Sequence, residues 1–380
     1  MRIAIDARFM GAERSRGIGR YIEEMVRGIL PLVEAQGDTI VLIVRDQKAC
    51  LFPESRTLTY VYADIPWYSF REQFVMPFVF ARTRADVIHV PHWNVPLLFL
   101  NRATLIVTIH DILLHHQSAR ESVKASTRNI LYLWMKRCGY QLTLWMALRR
   151  ARLVTVPTAF VKQDLQAHYP WCRDVRVTGE GLSSLPMANE RLLPAPYLLY
   201  VGSAYPHKRV DSLLNVWKTL SQKRSEHHLV ITGEKDVFLK RLQERVEREQ
   251  LPRVHFPGRL TDQELATYYH HAELFVFPSA HEGFGLPPLE ALSQGCPAVI
   301  SDIGCHREVA NVPGILFFRT DDENDMMQKI GYALDHLPQL RREALDGAVH
   351  IRETHRWSEM AAQTFQYYQL FRPAHKKASS

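Results

Sequence analysis

Hydrophobic and polar positions along the chain follow two patterns that alternate from one end to the other. Short apolar runs rich in β-branched residues alternate with longer segments whose apolar positions recur three and four residues apart. The short runs are typical of buried strands and the longer segments of amphipathic helices, so the alternation predicts βαβ units with parallel strands. The predicted strands are Arg2–Asp6, Thr39–Val44, Thr57–Tyr62, Asp86–His89, Thr104–Ile109, Leu153–Val156, Val175–Thr178, Tyr197–Val201, His228–Thr232, Val254–Phe256, Leu274–Phe277, Ala298–Ile300 and Ile315–Phe317.

A break in this alternation divides the chain. Residues 181–196, GLSSLPMANERLLPAP, contain three prolines and show no clear period, as an interdomain linker does. We therefore predict an α/β fold with two Rossmann-like parallel-sheet domains facing across a cleft, one over residues 1–180 and the other over 197–355. Residues 356–372 have the apolar face of a further helix, and the tail 373–380 is predicted to be disordered. The predicted helices of the second domain cover residues 209–222, 236–249, 261–270, 286–295 and 322–336.

Composition narrows the class of protein. The chain has 380 residues, 46% of them hydrophobic and 23% charged, which is typical of a globular protein with two domains. Its five cysteines are scattered without a C-x-x-C pair, which predicts reduced thiols in the cytoplasm and neither a disulfide framework nor a zinc site. The N-terminal run MRIAIDARFM is too short for a signal peptide, and no apolar stretch reaches the length of a membrane-spanning helix.

The net charge of +7 points to an anionic partner. The segment Arg120–Arg152 alone holds eight basic residues and one acid, interspersed with tryptophan and leucine. This pattern is typical of a helix that binds anionic lipid, and also of a core helix with a solvated basic face. The chain has no glycine-and-aromatic signature of an RNA-binding sheet and no helix-turn-helix or zinc pattern, so nucleic acid is not an expected partner. The candidates for an acceptor or membrane patch are Arg128, Lys136, Arg137, Arg149 and Arg150.

Three loops that follow predicted strands could carry chemistry, because ligands of parallel sheets bind at the carboxyl ends of the strands. The first loop ends in GIGRY, Gly17 to Tyr21, where glycines and the free N–H groups of a helix start suit an anion. A tight turn is the alternative for this loop. The dinucleotide fingerprint would require a third glycine where Ile22 stands, which disfavours a Rossmann dehydrogenase.

The second loop is GSAYPHKRV, directly after the predicted strand Tyr197–Val201. His207, Lys208 and Arg209 stand at the strand end, where they could hold a diphosphate. A solvated basic helix start is the alternative. It is the less favourable arrangement, because cations at a helix N-terminus oppose the macrodipole unless an anion offsets them.

The third stretch, FPSAHEGFGLPPLEALSQGCPAVIS, has the pattern of a strand, a glycine loop, a helix and another strand. Glu282 precedes the loop, and Glu290 follows eight residues later. The two carboxylates could therefore bind different hydroxyls of one extended, hydroxyl-rich ligand. Two glutamates are more often surface charges, but two that bracket a glycine loop after a buried strand are much less often so.

HEGFGLPPLEALSQGCPAVIS resembles the Glu-x7-Glu signature of retaining glycosyltransferases with the GT-B fold, specifically the large fourth family that uses nucleotide-diphosphate sugars. Other segments resemble the same family in the same order, over nearly the whole chain. These segments are GIGRY, VTIHD at Val107–Asp111, VGSAYPHKR at Val201–Arg209, LVITGEKD at Leu229–Asp236 and VHFPGRLTDQEL at Val254–Leu265.

The resemblance implies a catalytic set of Glu282, His110 and Lys208. In it, Glu282 contacts the donor-sugar hydroxyls, His110 lies beside the transferred sugar and Lys208 neutralises the diphosphate. The carboxylate of Glu290 accepts hydrogen bonds from the ribose. The wider donor-binding set that the resemblance implies is Gly17, Gly19, Ser203, His207, Lys208, Arg209, Gly258, Arg259, Glu282, Gly283, Phe284, Gly285, Leu286 and Glu290.

Backbone groups complete the implied donor site. The amides of residues 284–286 hold the sugar and the diphosphate, the backbone of Gly17 and Gly19 assists, and Gly258 and Arg259 lie near the base. In this fold the final helix usually crosses back onto the N-terminal domain, which is the place that the resemblance implies for residues 356–372.

Two positions depart from the family pattern. Relatives commonly have an arginine just after the strand glycine or just before the lysine, where this chain has Ser203 and His207. Arg209 could compensate, and the sequence leaves open which cation joins Lys208. For His110 the alternative role is that of an ordinary hydrogen-bonding residue at a strand end.

The chain contains no D-x-D pair and no cluster of histidine and aspartate with ligand spacing. We therefore expect a metal-independent enzyme in which positive side chains and helix dipoles stabilise the leaving diphosphate. No cofactor is expected beyond the donor substrate.

The resemblance implies transfer of a hexose, with retention at the anomeric carbon, from a nucleotide-diphosphate sugar to a hydroxyl of a saccharide acceptor. GDP-mannose is the favoured donor, because relatives with similar loops use it, and UDP-linked hexoses are the alternative. The basic segment favours a lipid-linked acceptor at the cytoplasmic face of the inner membrane, as in synthesis of cell-surface polysaccharide or lipopolysaccharide. A nucleotide-sugar epimerase and a phosphorylase are alternatives with the same architecture, although the phosphorylase would need a pyridoxal phosphate lysine site and a longer chain.

Overall fold

The structure is a computed structural model that describes residues 1–11, 16–100, 102–113 and 130–373. It divides into two compact units. Of the described residues, the first unit contains Met1–Ile112, Trp134–Gly181 and those from Arg356, and the second contains Leu182–His355 together with those of the segment Leu113–Leu133.

The first unit is built on a seven-stranded parallel sheet in the order β3-β2-β1-β4-β5-β6-β7. The order reverses between β1 and β4, so the ends of these two strands form the switch point at which doubly wound sheets bind ligands. The strands are β1 Arg2–Asp6, β2 Thr39–Val44, β3 Leu58–Tyr62, β4 Val87–Val90, β5 Thr104–Thr108, β6 Leu153–Val156 and β7 Val175–Val177.

In the described part of the chain before residue 181, four helices cover the faces of this sheet. They are α1 Arg16–Ala35, α2 Phe70–Thr83, α3 Ile130–Arg150 and α4 Ala159–His168. Helix α2 begins because the Ser69 hydroxyl accepts a hydrogen bond from the Glu72 N–H, and it ends at Arg84 in the left-handed conformation.

The second unit repeats the plan with a six-stranded parallel sheet in the order β10-β9-β8-β11-β12-β13. Its strands are β8 Tyr197–Val201, β9 His228–Thr232, β10 Val254–Gly258, β11 Leu274–Phe277, β12 Ala298–Ser301 and β13 Ile315–Phe318. Its helices are α5 Val210–Lys223, α6 Val237–Arg248, α7 Asp262–His271, α8 Leu286–Ser293, α9 Gly304–Val309, α10 Glu323–Asp335 and α11 Leu337–Thr354.

The last described helix, α12 Trp357–Gln369, packs in the first unit against α1. Its apolar face, with Trp357 and Tyr368, joins the buried core on that side of the first sheet. Gly28 of α1 permits the close approach, because a Cβ there would lie 2.4 Å from the Cβ of Ala361.

Predicted and observed elements agree closely in both sheets, with ends that differ by one or two residues. The segment 181–196 contains no helix or strand, but it is not a free linker, because Leu182, Leu185 and Leu193 pack against the core of the second unit. Helices α9 and α11 were not predicted. Helix α9 has only six residues, and α11 follows α10 after a break at His336 and begins with a proline in its first turn.

Candidate active site

The loop after β8 is held in place by the strands beside it. The hydroxyl of Tyr200 donates a hydrogen bond to the carbonyl oxygen of Ser203 at 2.7 Å. Gly233, at the end of β9, allows close contact, because a Cβ there would lie 2.1 Å from the Gly202 carbonyl oxygen. This packing fixes the start of the turn that carries Lys208.

Lys208 and Glu282 form an ion pair at the carboxyl edge of the second sheet. The Lys208 Nζ lies 2.5 Å from Glu282 Oε1, and the two side chains are only 16% and 11% exposed. Burial by itself opposes ionisation of Glu282, but the ammonium group of Lys208 outweighs it and holds the pKa of this carboxyl below its usual value. The structure thus brings together two of the three residues predicted to be catalytic, as a buried pair of opposite charges.

The glycine loop after β11 leads directly into α8. Gly283 and Phe284 follow Glu282, and Gly285 caps the helix with φ at +89°, a value that favours glycine. Leu286 is the first helical residue and is followed by Pro287 and Pro288, which have no N–H, so the helix itself contributes the N–H of Leu286, which has no partner within the helix. The loop therefore presents backbone donors and the positive end of the helix dipole beside Glu282.

Glu290, on the next turn of α8, is buried and accepts a hydrogen bond from the hydroxyl of Tyr269 at 3.1 Å. Tyr269 belongs to α7 and is fully buried. The sequence analysis did not identify Tyr269, because nothing in the Glu-x7-Glu motif indicates which residue forms a hydrogen bond with Glu290.

His306 is a second residue that the sequence interpretation missed. It is fully buried on α9, and its Nδ1 lies 2.9 Å from the Ser301 carbonyl oxygen. Burial lowers the pKa of His306, so the ring is neutral and Nδ1 donates to that carbonyl. Its Nε2 is buried without a hydrogen-bond partner among the described residues and lies close to Gly285. The sequence feature that could have identified His306 is its position just after β12, at the end of a strand.

Neither His207 nor Arg209 is a free cation beside Lys208. Burial and then the charge of Lys208 lower the pKa of His207 to about 4, so this imidazole is neutral near pH 7. Arg209 has a left-handed backbone and forms an ion pair with Asp321. A role for Arg209 on the diphosphate would require it to leave Asp321.

Gly258 and Arg259 lie at the end of β10. The Gly258 carbonyl oxygen accepts a hydrogen bond from the Thr232 hydroxyl at 2.6 Å, and a Cβ at Gly258 would lie 2.7 Å from Lys235 Cε. Arg259 is exposed, and its Nη1 is 3.9 Å from Glu234 Oε1. This end of the sheet therefore has an exposed cation, and the placement of Gly258 and Arg259 near the base stays a prediction.

In the first unit, the two glycines of GIGRY have different surroundings. Gly17 is exposed at the start of α1, and a Cβ there would meet nothing within 4 Å. At Gly19 a Cβ would lie 2.6 Å from the carbonyl oxygen of Phe9. Gly19 is thus required for close packing of α1 on the loop after β1, and Gly17 leaves its backbone accessible.

His110 follows β5 and is oriented by a carboxylate. Its Nδ1 lies 3.2 Å from Glu180 Oε1, and the ring of Tyr21 packs edge-on at 4.7 Å between centroids. The Nε2 atom is buried without a hydrogen-bond partner in the part of the chain that the structure describes. Glu180, just after β7, was missed from the sequence because its contact with His110 depends on the order of the strands.

The basic segment is described only in part. Arg128 lies outside the described residues, and the side chain of Lys136 is also outside them. Arg137 is half-buried, Arg149 stacks on Trp145 and Trp171 with its Cζ 5.9 and 5.5 Å from the two ring centroids, and Arg150 donates to the Pro96 carbonyl oxygen at 3.2 Å. Exposed apolar side chains on the same helix are Trp134, Met135, Leu142 and Trp145.

Two properties of the described ranges bear on the kind of protein. No helix in them has the length and apolarity needed to cross a membrane. No group of three or more histidine, cysteine, aspartate or glutamate side chains in those ranges has a geometry that could hold a metal ion.

Two family models match the chain: residues 15–182 match "Glycosyltransferase Family 4" and residues 195–336 match "Glycosyl transferases group 1". The chain is 26% identical to the O-antigen chain mannosyltransferase RfbU of Salmonella typhimurium over 70% of this chain and 69% of that protein. It is 32% identical to the O-antigen chain mannosyltransferase B of Escherichia coli, over 46% of each.

Among solved structures, sucrose-phosphate synthase from Thermosynechococcus elongatus matches with a TM-score of 0.76 and 20% identity, over 97% of this chain and 98% of that one. The likeness, together with the two parallel-sheet units, shows the α/β GT-B fold. The chain belongs to glycosyltransferase family 4 and is related to mannosyltransferases.

Proposed function

We propose that the protein transfers a mannosyl residue from GDP-mannose to a hydroxyl of a saccharide acceptor, with retention at the anomeric carbon. The observation that carries this proposal is the buried pair of Lys208 and Glu282 beside the glycine loop of α8. A cation, a carboxylate and a helix N-terminus together suit a ligand that carries both a diphosphate and sugar hydroxyls.

In the free protein, Lys208 and Glu282 neutralise each other. When the donor binds, Lys208 interacts with the diphosphate oxygens and Glu282 accepts hydrogen bonds from hydroxyls of the hexose, while the backbone N–H groups of residues 284–286 face the phosphates. The charge that develops on the leaving group is then stabilised by preorganised groups. Glu290, held by Tyr269, binds the ribose.

The reaction follows a front-face route. The bond between the anomeric carbon and the phosphate oxygen breaks, the acceptor oxygen bonds to the same face of that carbon, and the acceptor proton passes to the leaving phosphate. In the first unit, Glu180 holds Nδ1 of His110, and the family resemblance implies that this histidine lies beside the transferred sugar. This scheme uses no metal ion and no cofactor, so activity should persist in the presence of EDTA.

The mannosyl donor is supported by the names of the two relatives, which are both O-antigen chain mannosyltransferases. The direct test is titration calorimetry with GDP and UDP, followed by assays with GDP-mannose, UDP-glucose and UDP-galactose. Tighter binding of GDP and transfer from GDP-mannose are expected. Preference for UDP, or transfer from a UDP-hexose alone, would replace the mannosyl assignment by a UDP-sugar enzyme of the same fold.

The acceptor is proposed to be lipid-linked, in synthesis of cell-surface polysaccharide or lipopolysaccharide at the cytoplasmic face of the inner membrane. Support comes from the exposed apolar side chains of α3 and from a second exposed set on α2: Phe70, Phe74 and Phe78, spaced four residues apart along one face. Arg71 and Arg82 on α2 are also exposed, whereas its one acid, Glu72, is buried. An aromatic stripe with arginines and without an exposed acid suits an anionic bilayer surface.

A further inference from the structure

Tyr68, just before α2, combines two features that are unusual in one residue. Its backbone has φ at +58°, in the left-handed region that an aromatic residue rarely adopts. Its side chain is nevertheless 59% exposed, so no burial of the ring accounts for the conformation. Strained backbone conformations cluster at active sites and ligand-binding sites, where they help to position a side chain.

A buried polar network holds Tyr68 in this conformation. Its N–H donates to Glu72 Oε2 at 2.8 Å. Glu72 is fully buried and also accepts hydrogen bonds from Arg8 at 2.7 Å and from Asn94 at 2.6 Å. Arg8 is in turn bound by both oxygens of Asp6 at 2.8 and 2.7 Å. The backbone of Tyr68 is therefore fixed by contacts from the ends of β1 and β4.

The ring of Tyr68 is supported from behind. It stacks on Trp93, with the centroids 5.2 Å apart and 24° between the planes, and its hydroxyl lies 3.3 Å from His92 Nε2. Trp93 packs edge-on against Tyr140 at 4.7 Å. With one face against Trp93 and most of the side chain exposed, the ring keeps an open face.

Neighbouring Trp67 cannot offer such a surface. The ring of Phe9 stacks on Trp67 at 3.6 Å, and the Arg8 guanidinium lies 4.0 Å from the centre of the same ring. Two groups at these distances cover both faces of the indole. Tyr68 is thus the ring in this cluster that can still stack on a ligand.

The open ring lies at the switch point of the first sheet, among polar groups that follow three neighbouring strands. Arg8 follows β1, His92 follows β4, and Asp111 follows β5 directly after His110. An aromatic face beside hydrogen-bonding groups matches a pyranose, which has an apolar C–H face and a rim of hydroxyls.

We propose that Tyr68 is the stacking platform of the acceptor subsite, where it packs against the C–H face of the sugar that receives the new glycosidic bond. This inference rests on the proposed glycosyl transfer and adds to it the residue that selects and orients the acceptor.

The test uses the full chain and a panel of octyl hexosides as acceptors, with the one that wild type glycosylates fastest taken forward. Initial rates are measured for Tyr68→Ala, Tyr68→Gly and Tyr68→Phe against both acceptor and donor concentration. The Gly variant relieves the left-handed strain while removing the ring, so it should melt at or above the wild-type temperature. The matched controls are Tyr332→Ala, an exposed aromatic in the second unit, and Arg84→Gly, a left-handed residue at the other end of α2.

Loss of the ring should raise the acceptor KM about tenfold or more in the Ala and Gly variants, while the donor KM stays within about twofold. The Phe variant and both controls should keep the wild-type acceptor KM. An unchanged acceptor KM in the folded Gly variant, or an increase in the donor KM instead, would overturn the acceptor subsite.

Binding of the same octyl hexosides is also measured by calorimetry without donor. If wild type transfers sugar but its acceptor KM does not depend on Tyr68, the acceptor inference fails and the proposed function stands. If no nucleotide sugar supports transfer while hexoside binding still depends on Tyr68, the proposed function fails and the sugar subsite stands. Hexoside binding that is equal in wild type and the Gly variant counts against the subsite.

Discussion

Lys208 Nζ and Glu282 Oε1 lie 2.5 Å apart although 74 residues separate them in sequence. The contact exists because β8 and β11 are neighbours in the second sheet, so the loops after these strands emerge side by side. The phenyl ring of Phe277, 5.4 Å from the ammonium, forms part of the surroundings of the pair. Charges in such a site act strongly on a ligand because water screens them little.

Replacing Lys208 by alanine should lower kcat/KM by about two orders of magnitude or more, since one preorganised group on the leaving charge contributes roughly 3 kcal/mol to catalysis. The variant should also lose about 3 kcal/mol of unfolding free energy, because Glu282 would be left buried without its partner. Steady-state assays and urea unfolding measure the two effects. Lys218→Ala, at an exposed position of α5, is the matched control. Wild-type rates in the folded Lys208 variant would exclude this site.

Acid should destabilise the first unit through His89. Burial, and then the adjacent His110, lower the pKa of His89 to about 3, and its ring contacts the hydroxyls of Tyr368 and Thr108 at 2.6 and 2.8 Å. An unfolded histidine has a pKa of about 6.5, so below that pH the unfolded state binds more protons. Stability that is complete above about pH 6.5 should therefore be lost progressively as the pH falls toward about 3.

This prediction is checked by urea unfolding of wild type and His89→Gln at pH values from about 6.5 down to about 3. The glutamine variant should show a flatter dependence of unfolding free energy on pH. Glu282 acts in the same direction at lower pH, because its lowered pKa gives stability that is lost once the carboxyl is protonated. Parallel curves for wild type and His89→Gln would refute the role of His89.

The two glycines of GIGRY should respond differently to alanine. At Gly19 the new Cβ would meet the Phe9 carbonyl oxygen at 2.6 Å, so α1 must shift and about 1–3 kcal/mol of stability should be lost. At Gly17 nothing lies within 4 Å, and stability should change by less than about 0.5 kcal/mol. If the Gly17 backbone approaches the diphosphate, its alanine variant raises the donor KM in a fully stable protein. Equal losses of stability at both positions would contradict this distinction.

Membrane association should depend on the phenylalanine stripe of α2. Phe74→Ser with Phe78→Ser is expected to reduce sedimentation with vesicles that contain phosphatidylglycerol by about tenfold or more, since each buried phenyl contributes roughly 1.5–3 kcal/mol. Vesicles of phosphatidylcholine alone should bind wild type more weakly. Tyr332→Ser, at an exposed aromatic position in the second unit, is the control. Binding of the double variant at the wild-type level would exclude α2 as the contact.

The strands and the strand-end loops could be predicted from the sequence because they depend on local periodicity and on glycine positions. The roles of Lys208 and Glu282 required the family resemblance, and their direct pairing required the strand order. Tyr269, His306 and Glu180 were not found, since each acts through a partner distant in sequence.

The network around Tyr68 illustrates the same limit. Arg8 and Glu72 are 64 residues apart and meet only after β1 and α2 have packed. A positive φ at an aromatic residue has no signature in the sequence, because the surrounding hydrogen bonds impose it against local preference. The prediction that His207 is a cation was wrong for a related reason, because the burial that lowers its pKa depends on tertiary packing.

The position of α12 sets an order for folding during synthesis. The second unit is complete once His355 has left the ribosome, so all its strands can pair while the chain is still growing. The first unit, although most of its residues are made earlier, lacks Trp357 and Tyr368 in its core until the last helix emerges. The unit whose synthesis begins first is therefore the one whose folding is completed last. Part of its core stays exposed to solvent, and so open to aggregation, while the other unit folds.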